Sequence, residues 1–206
     1  MADKVIVFDL GKVIFDYDVK KMPPLWSAYS SNKSLFQDME SFMIKNINLF
    51  AKYEKGLISS VDFYKEILSL LEMKNLSFDK FCEIWNDIFT PMDDVIELVK
   101  SLSKKYELAL LSNTNELHFD YLYRDYSGFF KNFKKLHLSY LMNLRKPDIE
   151  IYNEVLKYHN IKPENMFFTD DNQENIDAAK KTGIRAYTFK NVMKLKQDLI
   201  DFGIEV

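Results

Sequence analysis

The sequence contains a single cysteine, Cys82, so no disulfide can form within the chain. Glycine and proline are scarce too, with five of each among 206 residues, and we take each as a candidate boundary of a helix or strand. The apolar run near the N-terminus has four residues and ends at Asp9, which is too short for a secretory signal or a membrane span. Because a lone thiol suits a reducing compartment, we predict a cytoplasmic protein without a membrane partner.

The chain also lacks a surplus of basic residues. Its 28 Lys and Arg are outweighed by 31 Asp and Glu, which gives a net charge of -3, and both signs are mixed along the sequence. Nucleic-acid binding depends on a basic surface that displaces counterions from phosphates, so we expect no nucleic acid partner. No obligate protein partner is evident either. With 47% hydrophobic residues, the chain can bury the core of one domain, with or without a smaller inserted one.

Short apolar runs rich in β-branched and aromatic residues recur along the chain and end in polar residues. This pattern predicts strands that are buried on both faces of a parallel sheet. Helical periods at 93–104 and 148–159 lie between them, and alternation of this kind predicts a doubly wound, Rossmann-like α/β sheet. The predicted strands are 5–8, 108–111, 166–168 and 185–188, with a weaker candidate at 135–138.

Polar side chains stand at the carboxyl ends of the predicted strands. In doubly wound sheets, ligands bind in the crevice beyond these ends. The sequence therefore predicts that Asp9, Ser112, Asn113, Asp170 and Asp171 converge on one crevice.

The segment 16–90 departs from the alternation, because its apolar residues follow helical spacing and no strand candidate interrupts them. We predict a helical insert at 16–90 and a core domain made of 1–15 and 91–206. Stripes of methionine and aromatic residues are more often packing surfaces than cofactor sites, so we assign them to the interior of the insert. Ser60 and Ser77 are candidate N-caps, with Ser34 a weaker one. The stripes are Phe36, Met39, Phe42 and Met43; Val61, Tyr64, Ile67, Leu68 and Leu71; and Phe78, Phe81, Ile84, Trp85 and Ile88.

Three carboxylates, Asp9, Asp170 and Asp171, cannot all be ionised close together without a counter-charge, which a bound cation supplies. Oxygen ligands without cysteine or clustered histidine favour a hard ion, and a site with room for water and phosphate suits Mg²⁺. The adjacent pair Asp170 and Asp171 is weak support alone, since it could instead cap a helix that begins near Asn172.

Lys146, just before Pro147, could neutralise both a carboxylate nucleophile and an incoming phosphate. Ser112 and Asn113 offer a hydroxyl, an amide and backbone N–H groups to phosphate oxygens. Each part alone is more often structural, because such a lysine is usually a surface charge and a Ser-Asn pair is usually a cap. In combination they indicate a phosphate site.

Four segments, in this order and spacing, resemble the motifs of haloacid dehalogenase superfamily hydrolases. They are VIVFDLGKVIFD, LALLSNTN, NLRKPDIEIYNEVL and MFFTDDNQENIDAAKKTGI. The helical insert resembles the C1 cap of subfamily IA. The phrases FDLGKVIFDYD and LLSNTNELH resemble the branch of sugar-phosphate phosphatases, such as those of glucose 1-phosphate, with a DLG first motif.

The resemblance implies an Mg²⁺-dependent phosphatase of a small phosphorylated metabolite, such as a sugar phosphate. Asp9 would be the nucleophile that forms an aspartyl-phosphate, and Lys146 would hold it and the phosphoryl group. Ser112 and Asn113 would bind phosphate oxygens. Mg²⁺ would be held by Asp9, the carbonyl of Gly11 and Asp171, with Asp170 as a more distant or alternative ligand.

One position departs from the family pattern. Two residues after the nucleophile the family usually has an acid-base Asp, and here that residue is Gly11. Asp16, Asp18 and Glu54 are candidate substitutes, although acids of this kind are more often solvated charges, at a hinge for the first two and at a helix end for Glu54.

The three histidines, His118, His137 and His159, are predicted to be structural, with His159 on a helix surface. Trp26, Tyr29, Tyr53 and Lys55 of the insert could face the crevice, and none is assigned a role in substrate selection.

Two other functions stay open at this point. A 2-haloacid dehalogenase also lacks the second Asp, although it would not need the acidic pair Asp170 and Asp171. A catalytically weak or inactive phosphate-binding protein is the other alternative, and Gly11 is its chief support.

Overall fold

The computed structural model describes residues 4–206, apart from the side chain of Glu40. Residues 1–3, the start of the predicted core, lie outside the described residues. Five parallel strands form the main sheet. Within residues 4–206, no helix has the length and apolar character that a membrane crossing requires. The strands of this sheet are β1 (Val5–Phe8), β4 (Glu107–Ser112), β5 (Lys135–Leu138), β6 (Met166–Asp170) and β7 (Arg185–Thr188). They lie in the order β5-β4-β1-β6-β7.

All five predicted strands are present, and two of them are longer than predicted. The β4 strand includes Glu107 and Ser112, and β6 continues to Asp170, because polar residues at strand ends still pair in the ladder even though they interrupt the apolar run. The central strand β1 pairs with β4 on one side and β6 on the other, with Phe8 opposite Leu110 and Thr169.

Helices cover both faces of the sheet, as the alternating pattern predicts. Side chains alternate along β1, so Ile6 and Phe8 pack on one face with α6, α7 and α11, while Val5 and Val7 pack on the other with α9 and α10. The doubly wound α/β prediction is confirmed. The helices of the core are α6 (Asp93–Leu102), α7 (Glu116–Phe130), α8 (Ser139–Met142), α9 (Ile149–His159), α10 (Gln173–Lys181) and α11 (Val192–Asp201).

The insert contains five α-helices that pack around a second hydrophobic cluster. Aromatic stacking dominates its centre, where the ring of Trp26 lies 5.3 Å from that of Phe81 and 5.9 Å from that of Trp85. The predicted stripes pack inward, except that Val61 is exposed because Phe63 takes the inward position on its helix. The helices are α1 (Met22–Trp26), α2 (Met39–Lys45), α3 (Ile47–Glu54), α4 (Ser60–Leu70) and α5 (Phe78–Asn86).

The prediction that no strand lies in 16–90 is wrong. Two short antiparallel strands, β2 (Phe15–Tyr17) and β3 (Phe89–Pro91), pair where the chain enters and leaves the insert. Three residues are too few to show a period of two, which is why the pattern was invisible in the sequence. The boundaries at 15/16 and 90/91 stay a proposal, which the two separate hydrophobic clusters support.

One predicted N-cap is shifted by one residue. Ser59, rather than Ser60, caps α4, because its backbone is extended and its Oγ accepts a hydrogen bond from the N–H of Asp62. Ser77 caps α5 as predicted. Ser34 caps nothing, because it lies inside a short 3-10 helix, Lys33–Phe36.

Candidate active site

Asp9 and Lys146 form a buried ion pair at the carboxyl end of the sheet. Asp9 is the first residue after β1, and its N–H donates to the carbonyl of Thr169 at 2.9 Å, which continues the ladder. Nζ of Lys146 lies 2.8 Å from Oδ1 of Asp9 and 2.6 Å from Oδ2 of Asp170, and it donates to the carbonyl of Leu111 at 2.9 Å. Three neighbours therefore fix the ammonium group, which is only 1% exposed.

Burial and charge set the ionisation of this cluster. Burial raises the pKa of Asp9 to about 8, against the lowering effect of Lys146. Burial alone would lower the pKa of Lys146, but Asp9 and Asp170 raise it above its ordinary value. Burial and then the charge of Asp170 raise the pKa of Asp171. Three carboxylates share one ammonium group, so the site is short of positive charge.

The acidic cluster has the donor set for a hard cation. Oxygen atoms of Asp9, Asp170 and Asp171 lie within 4.8 Å of one another. The oxygens of Asp170 are bonded on the protein side, to Lys146, to the N–H of Asn172 at 2.8 Å and to Nδ2 of Asn175 at 3.0 Å. The side chain of Asp171 is exposed. These residues fit Mg²⁺, with Asp9 and Asp171 the better placed to ligate it.

The side chain of Asn113 forms hydrogen bonds with the protein backbone, whereas the sequence predicts that it binds phosphate. Its Nδ2 donates to the carbonyl of Lys146 at 2.8 Å, and its Oδ1 accepts from the N–H of Lys146 at 2.8 Å. The side-chain amide that was expected to bind phosphate oxygens therefore holds the backbone of Lys146 in place. Ser112, at the end of β4, lines a cavity together with Gly11 and Asn113.

This cavity lies between the strand ends and the insert and has a volume of about 140 Å³. Its surface is mostly apolar and aromatic, and the insert supplies most of it. Within residues 4–206, Glu54 is the one carboxylate that lines the cavity. From the core come Leu10, Gly11, Ser112, Asn113, Thr114, Asn115 and His118, and from the insert come Tyr17, Val19, Met22, Met43, Phe50, Tyr53, Glu54, Trp85, Ile88 and Phe89.

The ring of Tyr17 lies beside Gly11. A Cβ atom at position 11 would lie 3.0 Å from Cε1 of the Tyr17 ring. Burial, with the charges of Asp171 and Asp9 next in size, raises the pKa of Tyr17 to about 12. The sequence gave no sign of this contact, because Tyr17 lies in the missed strand β2.

The three candidate acids of the insert lie in different places. Asp16 is exposed, and its bond to Lys12 lowers its pKa. Asp18 accepts from the N–H of Lys20 at 2.9 Å and caps a 3-10 helix. Only Glu54 reaches the cavity, where its Oε2 lies 2.9 Å from Nη2 of Arg145, an ion-pair distance at an angle outside hydrogen-bond geometry.

Of the four insert residues that could face the crevice, three lie outside the cavity lining. Trp26 is buried in the cluster of the insert, and Tyr29 lies outside the lining. Tyr53 lines the cavity, and Lys55 forms an ion pair with Asp148 of the core at 2.8 Å.

His118 also lines the cavity, but both ring nitrogens have protein partners. Nε2 donates to the carbonyl of Trp85 at 3.1 Å, so Nδ1 accepts from Nδ2 of Asn115 at 3.1 Å. Burial lowers the pKa of His118 to about 4. These contacts agree with a structural role.

His159 is not on the helix surface, and that expectation is wrong. Its side chain is fully buried, with Nδ1 2.7 Å from Oε1 of Glu107 and Nε2 3.1 Å from Nε2 of His137. The neighbouring strands β4 and β5 supply these partners, which helical spacing alone does not reveal.

Comparison with known proteins places these features in context. A family model described as haloacid dehalogenase-like hydrolase matches residues 4–183. The D-ribitol-5-phosphate phosphatase of Bacteroides thetaiotaomicron is 28% identical over 204 residues, which cover 95% of this chain and 96% of that protein.

Two solved structures share the fold. A haloacid dehalogenase family enzyme from Bacteroides thetaiotaomicron, in complex with magnesium and inorganic phosphate, has a TM-score of 0.78 and 28% identity and covers 92% of this chain and 95% of its own. A protein from Porphyromonas gingivalis, described as a predicted haloacid dehalogenase-like family hydrolase, has a TM-score of 0.82 at 24% identity and covers 97% of this chain and 98% of its own, a likeness that shows the fold.

Proposed function

Because the chain belongs to the haloacid dehalogenase-like hydrolases, we propose that it is an Mg²⁺-dependent phosphatase that cleaves a small phosphomonoester through an aspartyl-phosphate on Asp9. The contact between Nζ of Lys146 and Oδ1 of Asp9 carries the proposal, because it fixes a carboxylate directly before Leu10 and Gly11, which line the cavity. The relative that is named as a D-ribitol-5-phosphate phosphatase supports the reaction class.

Asp9, Asp171 and the carbonyl of Gly11 would hold Mg²⁺, with Asp170 behind them. Bound there, the ion supplies the positive charge that the cluster of Asp9, Asp170 and Asp171 lacks and neutralises the phosphate dianion. The solved structure of the haloacid dehalogenase family enzyme from Bacteroides thetaiotaomicron with magnesium and inorganic phosphate supports this assignment.

The protein residues have separate tasks in the reaction. A carboxylate oxygen of Asp9 attacks phosphorus, the bond to the leaving oxygen breaks, and water then cleaves the aspartyl-phosphate to release phosphate and restore Asp9. Lys146 places its charge beside both the nucleophile and the phosphoryl oxygens. Its three fixed contacts mean that little reorganisation is needed when charge develops. The hydroxyl of Ser112 and the backbone N–H of Asn113 bind phosphate oxygens.

The substrate is a small phosphorylated metabolite rather than a phosphoprotein. A cavity of about 140 Å³ is close to the roughly 150 Å³ of an engineered cavity that holds benzene, so it admits a compact leaving group. The relative's named activity makes sugar and polyol phosphates the first candidates, which is also the branch that the DLG motif resembles.

The acidic cluster argues against the dehalogenase alternative. Three carboxylates around a single ammonium group would repel one another without a cation, and a 2-haloacid dehalogenase needs none. The second alternative is a protein that binds phosphate without turnover, and the experiment must distinguish it from a phosphatase.

The test is Mg²⁺-dependent phosphate release from a panel of sugar, polyol and aryl phosphates. We expect turnover by the wild type and by Asp201→Asn, an exposed control, and none by Asp9→Asn or in EDTA. Equal turnover by Asp9→Asn would remove Asp9 as the nucleophile. Phosphate binding without wild-type turnover would make the chain a binding protein, and metal-independent chloride release from a chloroacid would make it a dehalogenase.

A further inference from the structure

The reaction proposed above needs two proton transfers, and Gly11 has no side chain that could carry them out. The leaving oxygen must gain a proton in the first step, and the attacking water must lose one in the second. Gly11, two residues after Asp9, has no side chain, and the ring of Tyr17 occupies the space beside it. The acid and base must therefore come from elsewhere in the cavity.

In the part of the chain that the structure describes, four titratable side chains line the cavity: Tyr17, Tyr53, Glu54 and His118. Three of them are poorly suited to the task. The hydroxyl of Tyr53 is bonded to Oγ of Ser60 at 2.9 Å, and burial raises its pKa. Both nitrogens of His118 are engaged, and the pKa of Tyr17 is about 12, so it cannot accept a proton at neutral pH.

Glu54 is the group that remains, and its position is fixed by the core. It is the last residue of α3, and the loop that follows lies directly on the core. Nδ2 of Asn143 donates to the carbonyl of Lys55 at 2.8 Å. At Gly56, with φ of +65°, a Cβ atom would lie 2.2 Å from the carbonyl oxygen of Tyr140, so only glycine allows this approach.

Arg145 connects Glu54 to the nucleophile. Its Nη2 lies 2.9 Å from Oε2 of Glu54, and the next residue along the chain is Lys146, which contacts Asp9. The carboxylate is thus held on the insert side of the cavity, while Gly11 and Ser112 line the core side, two residues after Asp9 and at the end of the neighbouring strand β4. A phosphoryl group bound at Asp9 would have its leaving group directed toward Glu54.

We propose that Glu54 is the general acid and base of this phosphatase, which rests on the proposed function. In the first step Asp9 bonds to phosphorus, the bond to the leaving oxygen breaks, and that oxygen takes the proton of the Glu54 carboxyl to become an alcohol. In the second step the Glu54 carboxylate takes a proton from water, whose oxygen bonds to phosphorus as the bond to Asp9 breaks. Inorganic phosphate leaves, and both carboxyl groups return to their starting states.

The charges that face Glu54 suit a group that must change its protonation twice. Burial raises its pKa above the ordinary range, so the acid form persists toward neutral pH, while Arg145 and the more distant Lys146 oppose this shift. Tyr17 faces it as well and stays neutral. Once the proton has left, Arg145 stabilises the carboxylate.

The test uses the full chain with Mg²⁺ and compares Glu54→Gln with Glu66→Gln, an exposed control on α4. For alkyl phosphates, whose leaving oxygen needs a proton, we expect Glu54→Gln to lower kcat by about 10²- to 10⁴-fold. For p-nitrophenyl phosphate, whose leaving group needs none, we expect kcat/KM to change little. Nitrophenolate should instead appear in a burst equal to the enzyme, because hydrolysis of the aspartyl-phosphate has become slow.

Two further measurements separate catalysis from a structural role. Glu54→Asp keeps a carboxyl group and should recover part of the alkyl phosphate rate. The fall in kcat/KM for alkyl phosphates as pH rises through the pKa of Glu54 should disappear in Glu54→Gln. Urea unfolding of each variant reports whether its fold is intact.

The proposal is overturned if Glu54→Gln lowers kcat/KM by the same factor for alkyl phosphates and p-nitrophenyl phosphate and no burst of nitrophenolate appears. The ion pair with Arg145 would then be only a contact between insert and core. It is also overturned if Glu54→Gln matches Glu66→Gln while Asp9→Asn is inactive. Absence of wild-type turnover on every ester would instead overturn the proposed function itself.

Discussion

A Cβ atom on Gly11 would lie 3.0 Å from Cε1 of Tyr17, closer than a side chain can stand unless the ring moves. Tyr17 belongs to the short ribbon between core and insert, where its ring packs edge-on against Phe89 at 6.3 Å. The ribbon thus fills the space in which the family usually places an acid-base Asp. The glycine and the tyrosine are therefore linked structurally, because a side chain at position 11 requires the Tyr17 ring to shift.

The contact between position 11 and Tyr17 predicts which substitutions restore an acid-base group at position 11. In the Glu54→Gln background, Gly11→Asp alone should recover little activity, because the Tyr17 ring crowds the new carboxylate. Adding Tyr17→Ala should raise the rate of aspartyl-phosphate hydrolysis by about tenfold or more, as a positioned acid-base group does. Single-turnover kinetics check this, with Tyr17→Ala in Glu54→Gln as the control. Full recovery by Gly11→Asp with Tyr17 intact would contradict the steric explanation.

Lys146 should stabilise the fold as well as serve the reaction. Lys146→Met leaves Asp9 and Asp170 buried without their counter-charge, so in EDTA we expect the free energy of unfolding to fall by about 3–5 kcal/mol. The double variant Lys146→Met with Asp170→Asn should regain part of this loss, because one of the two carboxylates is removed. Urea denaturation measures both, with Lys190→Met as the exposed control. Wild-type stability for Lys146→Met would show that the carboxylates are neutral in its absence.

Much of the site could be predicted because parallel strands end at one edge. Asp9, Ser112 and Asp170 follow from short apolar runs and the rule that ligands bind at the carboxyl ends of such strands. Lys146 was predicted from its motif, and its contacts with Asp9 and Asp170 bring it to the same place.

The unpredicted features depend on contacts between distant segments. Tyr17 reaches Gly11 through a strand of three residues, and Glu54 meets Arg145 across 91 positions of sequence, which no local period encodes. Asn175 could have been found, because it stands in the first turn of the helix after Asp170, where a side chain can turn back toward the strand end.

Mg²⁺ binding should distinguish the two adjacent acids. Because Asp170 is bonded to Lys146 and Asn175 while Asp171 is exposed, Asp171→Asn should weaken Mg²⁺ binding more than Asp170→Asn does. Isothermal calorimetry measures the affinity, and the rise of Tm with Mg²⁺ gives a second readout, since an ion that binds only the folded state stabilises it. Asp201→Asn should behave as the wild type. A larger loss for Asp170→Asn would make Asp170 the direct ligand.

His118 should make the protein sensitive to acid. Its folded-state pKa of about 4 lies below the ordinary value of 6.5, so the unfolded chain binds the proton first and stability is lost as pH falls from about 6.5 toward about 4. Between pH 7 and pH 5, His118 should account for about 1–2 kcal/mol of the loss. Urea unfolding of wild type and His118→Gln at both pH values isolates this effect, since other groups titrate in both proteins. An equal pH dependence of the two would show that His118 is protonated in the folded state.

The small cavity should select the leaving group by size, and adjacent residues of α2 allow a matched test. Met43 lines the cavity, whereas Ile44 is 71% exposed. Met43→Ala removes side-chain volume from the wall of the cavity. The ratio of kcat/KM for a bulky ester to kcat/KM for a compact ester should therefore rise. We expect a rise of about 10-fold, which lies within the 1–3 kcal/mol that a methylene-sized change in fit is worth. Ile44→Ala should leave the ratio unchanged. Kinetics on alkyl phosphates of increasing length measure it, and an equal ratio in all three proteins would mean that the leaving group lies outside this cavity.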